Sequence, residues 1–176
     1  MTGRSKDVII RGAHNIDPIL IEEALCQHPD VASAAAIGVP DPHSGEVPVA
    51  YVALHPGAGI TGEQLLAWVR PHVSEAAAVP KAVRLVPTMP LTAIGKIYKP
   101  ELQRQATEHV FAQLLAQRGL DRSIRVAVAD NSGQLEVVYS PVDAEHDEQA
   151  CAAWLADCMR PFALSWRWDG ASLDTA

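Results

Sequence analysis

The hydrophobic pattern of this chain is dominated by two long apolar runs. They cover residues 31–39 and 47–54, and a Pro-Asp-Pro-His-Ser-Gly segment separates them. Apolar runs separated by chain-reversing residues predict two strands joined by a turn. Shorter stretches predict further strands at 7–11 and 81–86. Because helical patterns lie between these strands, we predict an α+β fold with a small mixed sheet and flanking helices.

Boundary residues predict where the first two helices begin. Asp17 followed by Pro18 is typical of a helix start, because the aspartate accepts a bond from a free backbone N–H and the proline has none to satisfy. Thr61 and Gln64 form a capping-box pattern ahead of a second helix. A turn over residues 12–15 is predicted to return the first strand towards the first helix.

A second pattern begins beyond about residue 105. Pro100 starts a long helix that Gly119 is predicted to end. Alternating apolar positions at 124–128 and 135–139 flank an Asn-Ser-Gly turn at 131–133, which predicts a hairpin.

Two more elements are predicted at the C-terminal end. Apolar residues at 154–159 recur at helical spacing, and residues 164–168 predict a last strand. We therefore divide the chain into a domain at 1–105 and a linking helix with an accessory subdomain of ββαβ order at 106–176.

Composition excludes several classes of protein. The 176 residues carry 14 Lys and Arg against 21 Asp and Glu, and this net charge of −7 argues against a general nucleic-acid surface. The apolar runs are shorter than the roughly 20 residues of a membrane span, and the polar N-terminus does not resemble a signal peptide. Three cysteines form no metal-ligand pattern. We expect a cytoplasmic protein with no metal site, no nucleic-acid partner and no membrane span.

The strongest chemical signal is the segment Pro-Leu-Thr-Ala-Ile-Gly-Lys-Ile-Tyr-Lys at 90–99. Lys96 follows a glycine there, so its ammonium group is placed to meet a phosphate or a carboxylate. A nucleotide-binding P-loop is excluded for two reasons. Pro90 occupies the position of the first glycine of that motif, and Ile97 occupies the position where a serine or threonine must hold magnesium. The structural alternative is a solvated loop lysine.

Gly57, Gly59 and Gly62 match the spacing of a dinucleotide-binding fingerprint. Pro56 and Gly57 interrupt the direct turn from strand to phosphate loop, and no acidic residue stands near position 82 to bind a ribose. We interpret the three glycines as part of an ordinary loop.

Asp41, His43 and Glu46 form a compact polar cluster in the predicted turn between the long strands. Three mixed ligands on one turn are weak evidence for a metal site. We interpret all three residues as structural.

Two motifs together resemble the C-terminal domain of the adenylate-forming enzymes, the superfamily of acyl-CoA synthetases, adenylation domains and luciferases. Residues 2–12, Thr-Gly-Arg-Ser-Lys-Asp-Val-Ile-Ile-Arg-Gly, are similar to the family pattern Gly-Arg-x-Lys/Asp-Asp/Glu-x-Ile-x-x-Gly-Gly. Residues 90–99 are similar to Pro-x-Thr-x-x-Gly-Lys-x-x-Arg/Lys, and the turn ending at Glu46 matches Pro-Asp-x-x-x-Gly-Glu. The resemblance covers the first 105 residues.

The resemblance implies catalysis together with an N-terminal AMP-binding domain that these 176 residues lack. The full enzyme would join a carboxylic or fatty acid to CoA as an acid–thiol ligase, using ATP with Mg²⁺ and releasing AMP and pyrophosphate. Lys96 would contact the acyl carboxylate and the α-phosphate, because a positioned ammonium offsets the repulsion between two reacting anions. Arg4 would meet the nucleotide, and Lys6 would be the hinge for domain rotation. Alone, this chain is expected to be inactive.

The resemblance also implies a CoA-binding turn. Ala13 stands where the family has a second glycine, which approaches the pantetheine arm of CoA during thioester formation. For the basic residues near this turn, solvated surface charge is the alternative. The implied CoA-binding residues are Gly12, Ala13, His14, Lys81 and Arg84, with Arg11 as a further phosphate candidate.

Two other functions remain open. A peptide-synthetase-type adenylation domain would pass its acyl group to a carrier protein, although residues 106–176 lack the Gly-Gly-x-Ser attachment motif. A non-catalytic interaction module that has kept the fold is the alternative from a different class. The sequence does not name the acid, because the acyl pocket belongs to the absent domain. Since only a methionine precedes Thr2, we expect a C-terminal domain separated just ahead of its hinge.

Overall fold

The computed structural model of the chain describes residues 7–131, 134–142 and 148–169. The chain divides into two compact units, Met1–Gln103 and Arg104–Ala176. The predicted nucleotide-binding residue Arg4, the predicted hinge Lys6 and most of the predicted turn at 131–133 lie outside the described residues.

The first unit contains a five-stranded mixed sheet. Its strands are β1 (Ile9–Arg11), β2 (His14–Ile16), β3 (Val31–Asp41), β4 (Gly45–Leu54) and β5 (Ala82–Leu85). Their spatial order is β2-β1-β4-β3, and β5 lies alongside β4. The strands β3 and β4 pair antiparallel, as the two apolar runs predicted, whereas β5 is parallel to β4.

Two helices and two short 3₁₀ turns complete this unit before the long helix begins. Asp17 accepts the backbone N–H of Ile19 at 3.0 Å, and Thr61 and Gln64 form a reciprocal capping box. Both predicted helix starts are therefore confirmed. The elements are α1 (Pro18–Cys26), α2 (Gly62–Val69) and the 3₁₀ turns at Arg70–His72 and Ala76–Ala78.

Both α1 and α2 pack on one face of the five-stranded sheet. The core of the first unit lies between these helices and that face. The opposite face of β3 and β4 is buried as well. Burial on both faces explains why these strands read as continuous apolar runs rather than as alternating ones. The core on the helical face includes Ile21, Leu25, Ala34, Ala36, Ala50, Val52, Leu65, Val69 and Val83.

The prediction of a turn over residues 12–15 was wrong for residues 14 and 15. Gly12, at φ 59°, and Ala13 make the reversal, whereas His14 and Asn15 belong to β2 and pair with β1. The positive φ of Gly12 lets two residues reverse the chain, so the residues that follow are free to form backbone bonds with β1. The result is a short hairpin ahead of α1.

Two of the three spaced glycines, Gly57 and Gly62, have structural roles in the connection from β4 to α2. Gly57 adopts φ 85°, which favours glycine. A Cβ at Gly62 would overlap the backbone carbonyl of Val83 in β5, whereas Gly59 faces open space. The third glycine therefore allows α2 to approach β5 closely.

We expect Gly62→Ala to destabilise this chain by about 1–3 kcal/mol, because the added methyl group meets backbone that cannot rotate away. Helix propensity alone predicts that alanine at this position would stabilise the chain. Urea unfolding followed by circular dichroism measures the change. The matched variant Gly59→Ala should stay within about 0.5 kcal/mol of the parent, and equal effects at both positions would contradict the close-packing explanation.

The second unit begins within the longest helix. This helix, α3 (Lys99–Gln117), ends as predicted at Gly119, which adopts φ 69° while Leu120 N–H donates to the carbonyl of Leu115. A three-stranded sheet of order β6-β7-β8 follows, with β6 and β7 antiparallel and β7 and β8 parallel. The predicted ββαβ order is confirmed by β6 (Ile124–Asn131), β7 (Gln134–Pro141), α4 (Glu148–Met159) and β8 (Ser165–Trp168).

An aromatic and aliphatic cluster forms the core of the second unit. Phe111 from α3 meets Tyr139 of β7 edge to face, with ring centroids 6.5 Å apart. Burial raises the pKa of Tyr139 above its usual range, and its hydroxyl donates to Met159 Sδ at 3.2 Å. In the described part of the chain, no helix has the length and apolar character needed to cross a bilayer.

Candidate active-site surfaces

Lys96 lies in a loop that its own backbone bonds hold closed. Tyr98 N–H donates to Pro90 O at 2.8 Å, and Thr92 N–H donates to Lys96 O at 2.7 Å. The hydroxyl of Thr92 accepts Lys96 N–H at 3.1 Å. Gly95 adopts φ 75° and donates its N–H to Thr92 O. The threonine and glycine of the motif thus shape the loop, and the lysine presents an exposed side chain.

Several residues near this lysine in the loop have exposed hydrophobic side chains. Leu91 is 59% exposed, Ile94 79% and Tyr98 44%. An ammonium on a loop with exposed apolar neighbours is suited to meet an anion in a cleft that closes around it, since removal of water strengthens the electrostatic contact.

The turn at Gly12 and Ala13 is tied to the turn between β3 and β4. Gly12 N–H donates to Ser44 O at 2.6 Å, and the neighbouring Arg11 pairs with Gly45. The predicted CoA-binding residues Gly12, Ala13 and His14 are all exposed. The backbone at this turn is therefore anchored while its surface stays open.

Glu46 joins β1 to β4. Its Oε2 accepts Ile10 N–H at 2.8 Å. Burial raises the pKa of Glu46, and the bond from Ile10 offsets part of that shift. The carboxylate fills the space beside Gly38, where a Cβ would overlap it. These contacts agree with a structural role for Glu46.

Asp41 organises the turn beside Gly12. Its Oδ1 accepts the N–H groups of His43 and Ser44 at 3.0 and 2.9 Å and the Ser44 hydroxyl at 2.8 Å. Burial alone would raise the pKa of Asp41, but these hydrogen bonds and the nearby Lys81 bring it below its usual value. Among the described residues, no group of three or more His, Cys, Asp or Glu side chains is arranged to hold a metal.

Lys81 reaches the same corner of the sheet as the Gly12 turn. Its Nζ lies 3.6 Å from Asp41 Oδ2, and its side chain is 67% exposed. Asp41 in turn bonds to Ser44, whose carbonyl accepts Gly12 N–H. The structure therefore brings Lys81 together with the predicted CoA-binding turn.

The other two basic candidates are half-buried and engaged in packing. Arg84 lies over the ring of Tyr51, 5.9 Å from its centroid, and donates to the Tyr51 hydroxyl at 3.3 Å. Arg11 donates to Ala77 O at 2.7 Å. Sequence spacing gave no signal for the Tyr51 contact, because the pairing of β4 with β5 creates it.

Comparison with known proteins identifies the family of this unit. Residues 20–96 match the family model described as the AMP-binding enzyme C-terminal domain. Over these residues the chain therefore matches the C-terminal domain of AMP-binding enzymes. The resemblance drawn from the two motifs is confirmed, as is the predicted α+β fold class.

Similar proteins include several acid–CoA ligases. Marinolic acid–CoA ligase of Pseudoalteromonas sp. (strain SANK 73390) is 44% identical over 115 residues, 65% of this chain and 18% of that protein. Feruloyl-CoA synthase of Amycolatopsis sp. is 44% identical over 102 residues, 58% of this chain and 21% of that protein. The chain thus spans about a fifth of the length of these relatives.

Solved structures show the same similarity. Amide bond synthetase McbA from Marinactinospora thermotolerans is 40% identical, with a TM-score of 0.55 over 60% of this chain and 21% of that one. Apo MatB from Rhodopseudomonas palustris is 34% identical, with a TM-score of 0.56 over 58% of this chain and 20% of that one. The roles of Lys96, of the Gly12 turn and of the basic residues remain predictions.

Proposed function

We propose that this chain supplies the C-terminal catalytic lid of an ATP-dependent acyl-CoA ligase. The observation that carries this proposal is the Lys96 loop, held closed by its own bonds and presenting an exposed lysine in a domain of the AMP-binding family. Relatives named as acid–CoA ligases support the acyl-CoA product. The partner would be an N-terminal AMP-binding domain of the same longer polypeptide.

In the first half-reaction, a carboxylate oxygen of the acid attacks the α-phosphorus of ATP, and the bond to pyrophosphate breaks. Two anions must approach each other, so a positioned ammonium stabilises the charge that develops. Lys96 would supply it. The described residues offer no carboxylate cluster for Mg²⁺, and magnesium would enter with ATP bound to the partner domain.

In the second half-reaction, the CoA thiol attacks the acyl carbonyl and AMP leaves. The exposed turn at Gly12, Ala13 and His14 would line the path of the pantetheine arm. Lys81 is the best-placed cation for a CoA phosphate, because it is exposed and lies at the same corner as this turn. Arg84 is less available, since its guanidinium already contacts Tyr51.

Between the two half-reactions the lid would rotate about Lys6, and Arg4 would meet the nucleotide. A peptide-synthetase-type adenylation domain or a non-catalytic module would share the fold. The intact lysine loop argues against the non-catalytic module, and the relatives named as acid–CoA ligases favour CoA over a carrier protein as the acceptor. A cytoplasmic location and a role in fatty-acid metabolism are also part of this proposal.

ATP–pyrophosphate exchange with a panel of carboxylic acids tests the proposal. The isolated chain should give no exchange, because Lys96 needs a nucleotide already held by the partner domain. The longer polypeptide should exchange with at least one acid and then form its CoA thioester. Exchange by the isolated chain, or an acyl-adenylate that never passes to CoA, would contradict the proposal.

A further inference from the structure

The catalytic loop leads directly into α3, and the first residue of that helix is bonded to α1. Lys99 Nζ lies 2.7 Å from Glu22 Oε1, and each side chain is only 19% exposed. The same oxygen accepts the backbone N–H of Ala36 in β3 at 2.8 Å. One carboxylate oxygen therefore joins α1, the outer edge of the sheet and the start of α3.

This contact lies close to Lys96 along a constrained backbone. Only Ile97 and Tyr98 separate Lys96 from Lys99. Ile97 forms a bridge with Leu91, and Tyr98 N–H donates to the carbonyl of Pro90. A displacement at Lys99 would therefore be transmitted to the loop that carries the catalytic lysine.

We infer that Glu22 and Lys99 form a positioning pair that sets where the Lys96 ammonium lies during adenylation. The inference deepens the proposed function and rests on it. A short, largely buried ion pair has one favoured geometry, because its charge-assisted bond is strong and an unpaired partner would be desolvated. The two side chains are largely buried and bonded to each other, so the pair acts on Lys96 through the loop.

The first test uses the longer polypeptide with both domains. Lys99→Met should slow adenylation about 10-fold through kcat, with KM for ATP little changed, because a misplaced catalytic group reduces rate without removing the nucleotide site. Thioester formation from supplied acyl-adenylate should stay near normal. Glu22→Gln, which keeps an acceptor for Ala36 N–H, should likewise slow adenylation and leave thioester formation near normal. Lys99→Arg should keep most of the adenylation activity.

Arg160→Met is the matched control. It removes a cation from the exposed pair with Asp157, in which the side chains are 79% and 74% exposed, and it should leave both half-reactions unchanged. Equal losses in both half-reactions for Lys99→Met would assign the pair to general stability and overturn the inference. Lys96→Ala is assayed alongside. If Lys96→Ala leaves adenylation intact, the proposed function itself has failed, and this result differs from a failure of the inference alone.

The second test uses the 176-residue chain and needs no activity. Amide hydrogen exchange at Thr92 and Tyr98 reports the bonds that close the loop. Lys99→Met should accelerate exchange at both amides at least several-fold, while Arg160→Met should not. Unchanged exchange in Lys99→Met would overturn the inference whatever the kinetics show.

Discussion

In the longer polypeptide of the proposed ligase, Lys96→Ala should slow adenylation by about 10²- to 10³-fold, the usual loss for one preorganised contact that stabilises developing charge. The Lys96 side chain is exposed, and the loop is closed by backbone bonds and by Thr92 and Gly95. Truncation at the lysine should therefore leave the loop folded. ATP–pyrophosphate exchange measures the first half-reaction.

Thioester formation from supplied acyl-adenylate is the internal control for this variant. It should proceed at a near-normal rate, because the lysine serves only the first half-reaction in this proposal. A similar loss in both half-reactions would indicate a folding role for Lys96 instead.

Ala13→Leu should lower kcat/KM for CoA by about 10- to 100-fold, with pyrophosphate exchange almost unchanged. Ala13 is exposed at the tip of an anchored hairpin, so the larger side chain should be accepted by the fold and should extend towards the ligand. A pantetheine arm that passes close to this turn would be displaced, and small displacements of reacting groups are costly. Steady-state kinetics with varied CoA measures the effect.

Ala13→Gly is the matched variant in the opposite direction. It restores the residue that the family pattern has at this position and should be neutral or slightly faster in the thioester step, although backbone freedom would cost some stability. If Ala13→Leu leaves CoA kinetics intact, the turn does not line the thiol path.

Local signals in the sequence predicted most of the elements. The caps at Asp17 and Thr61 and the end of α3 at Gly119 depend on a few neighbouring residues, and the structure confirms them. The turn at 12–15 was wrong for His14 and Asn15, because three-residue strands carry too short a pattern to distinguish pairing from a loop.

Long-range contacts could not be predicted in the same way. Arg84 was predicted as a CoA-phosphate candidate with solvated surface charge as the alternative, and the contact with Tyr51 that the parallel pairing of β5 with β4 creates was not predicted. No local pattern indicated that Glu22 of α1 bonds to Ala36 and Lys99. Such roles depend on which strands and helices become neighbours, and hydrophobic periodicity does not encode that choice.

The position of the unit boundary inside α3 has a practical consequence for dissecting the protein. A fragment ending at residue 105 would retain only seven of the 19 residues of this helix. Helices that short are marginal without support from the rest of the protein, and the cut would remove the Gly119 cap. Lys99, which forms an ion pair with Glu22 of α1, would then lie in a frayed segment of the helix. A fragment meant to report on Lys96 should therefore run past Gly119.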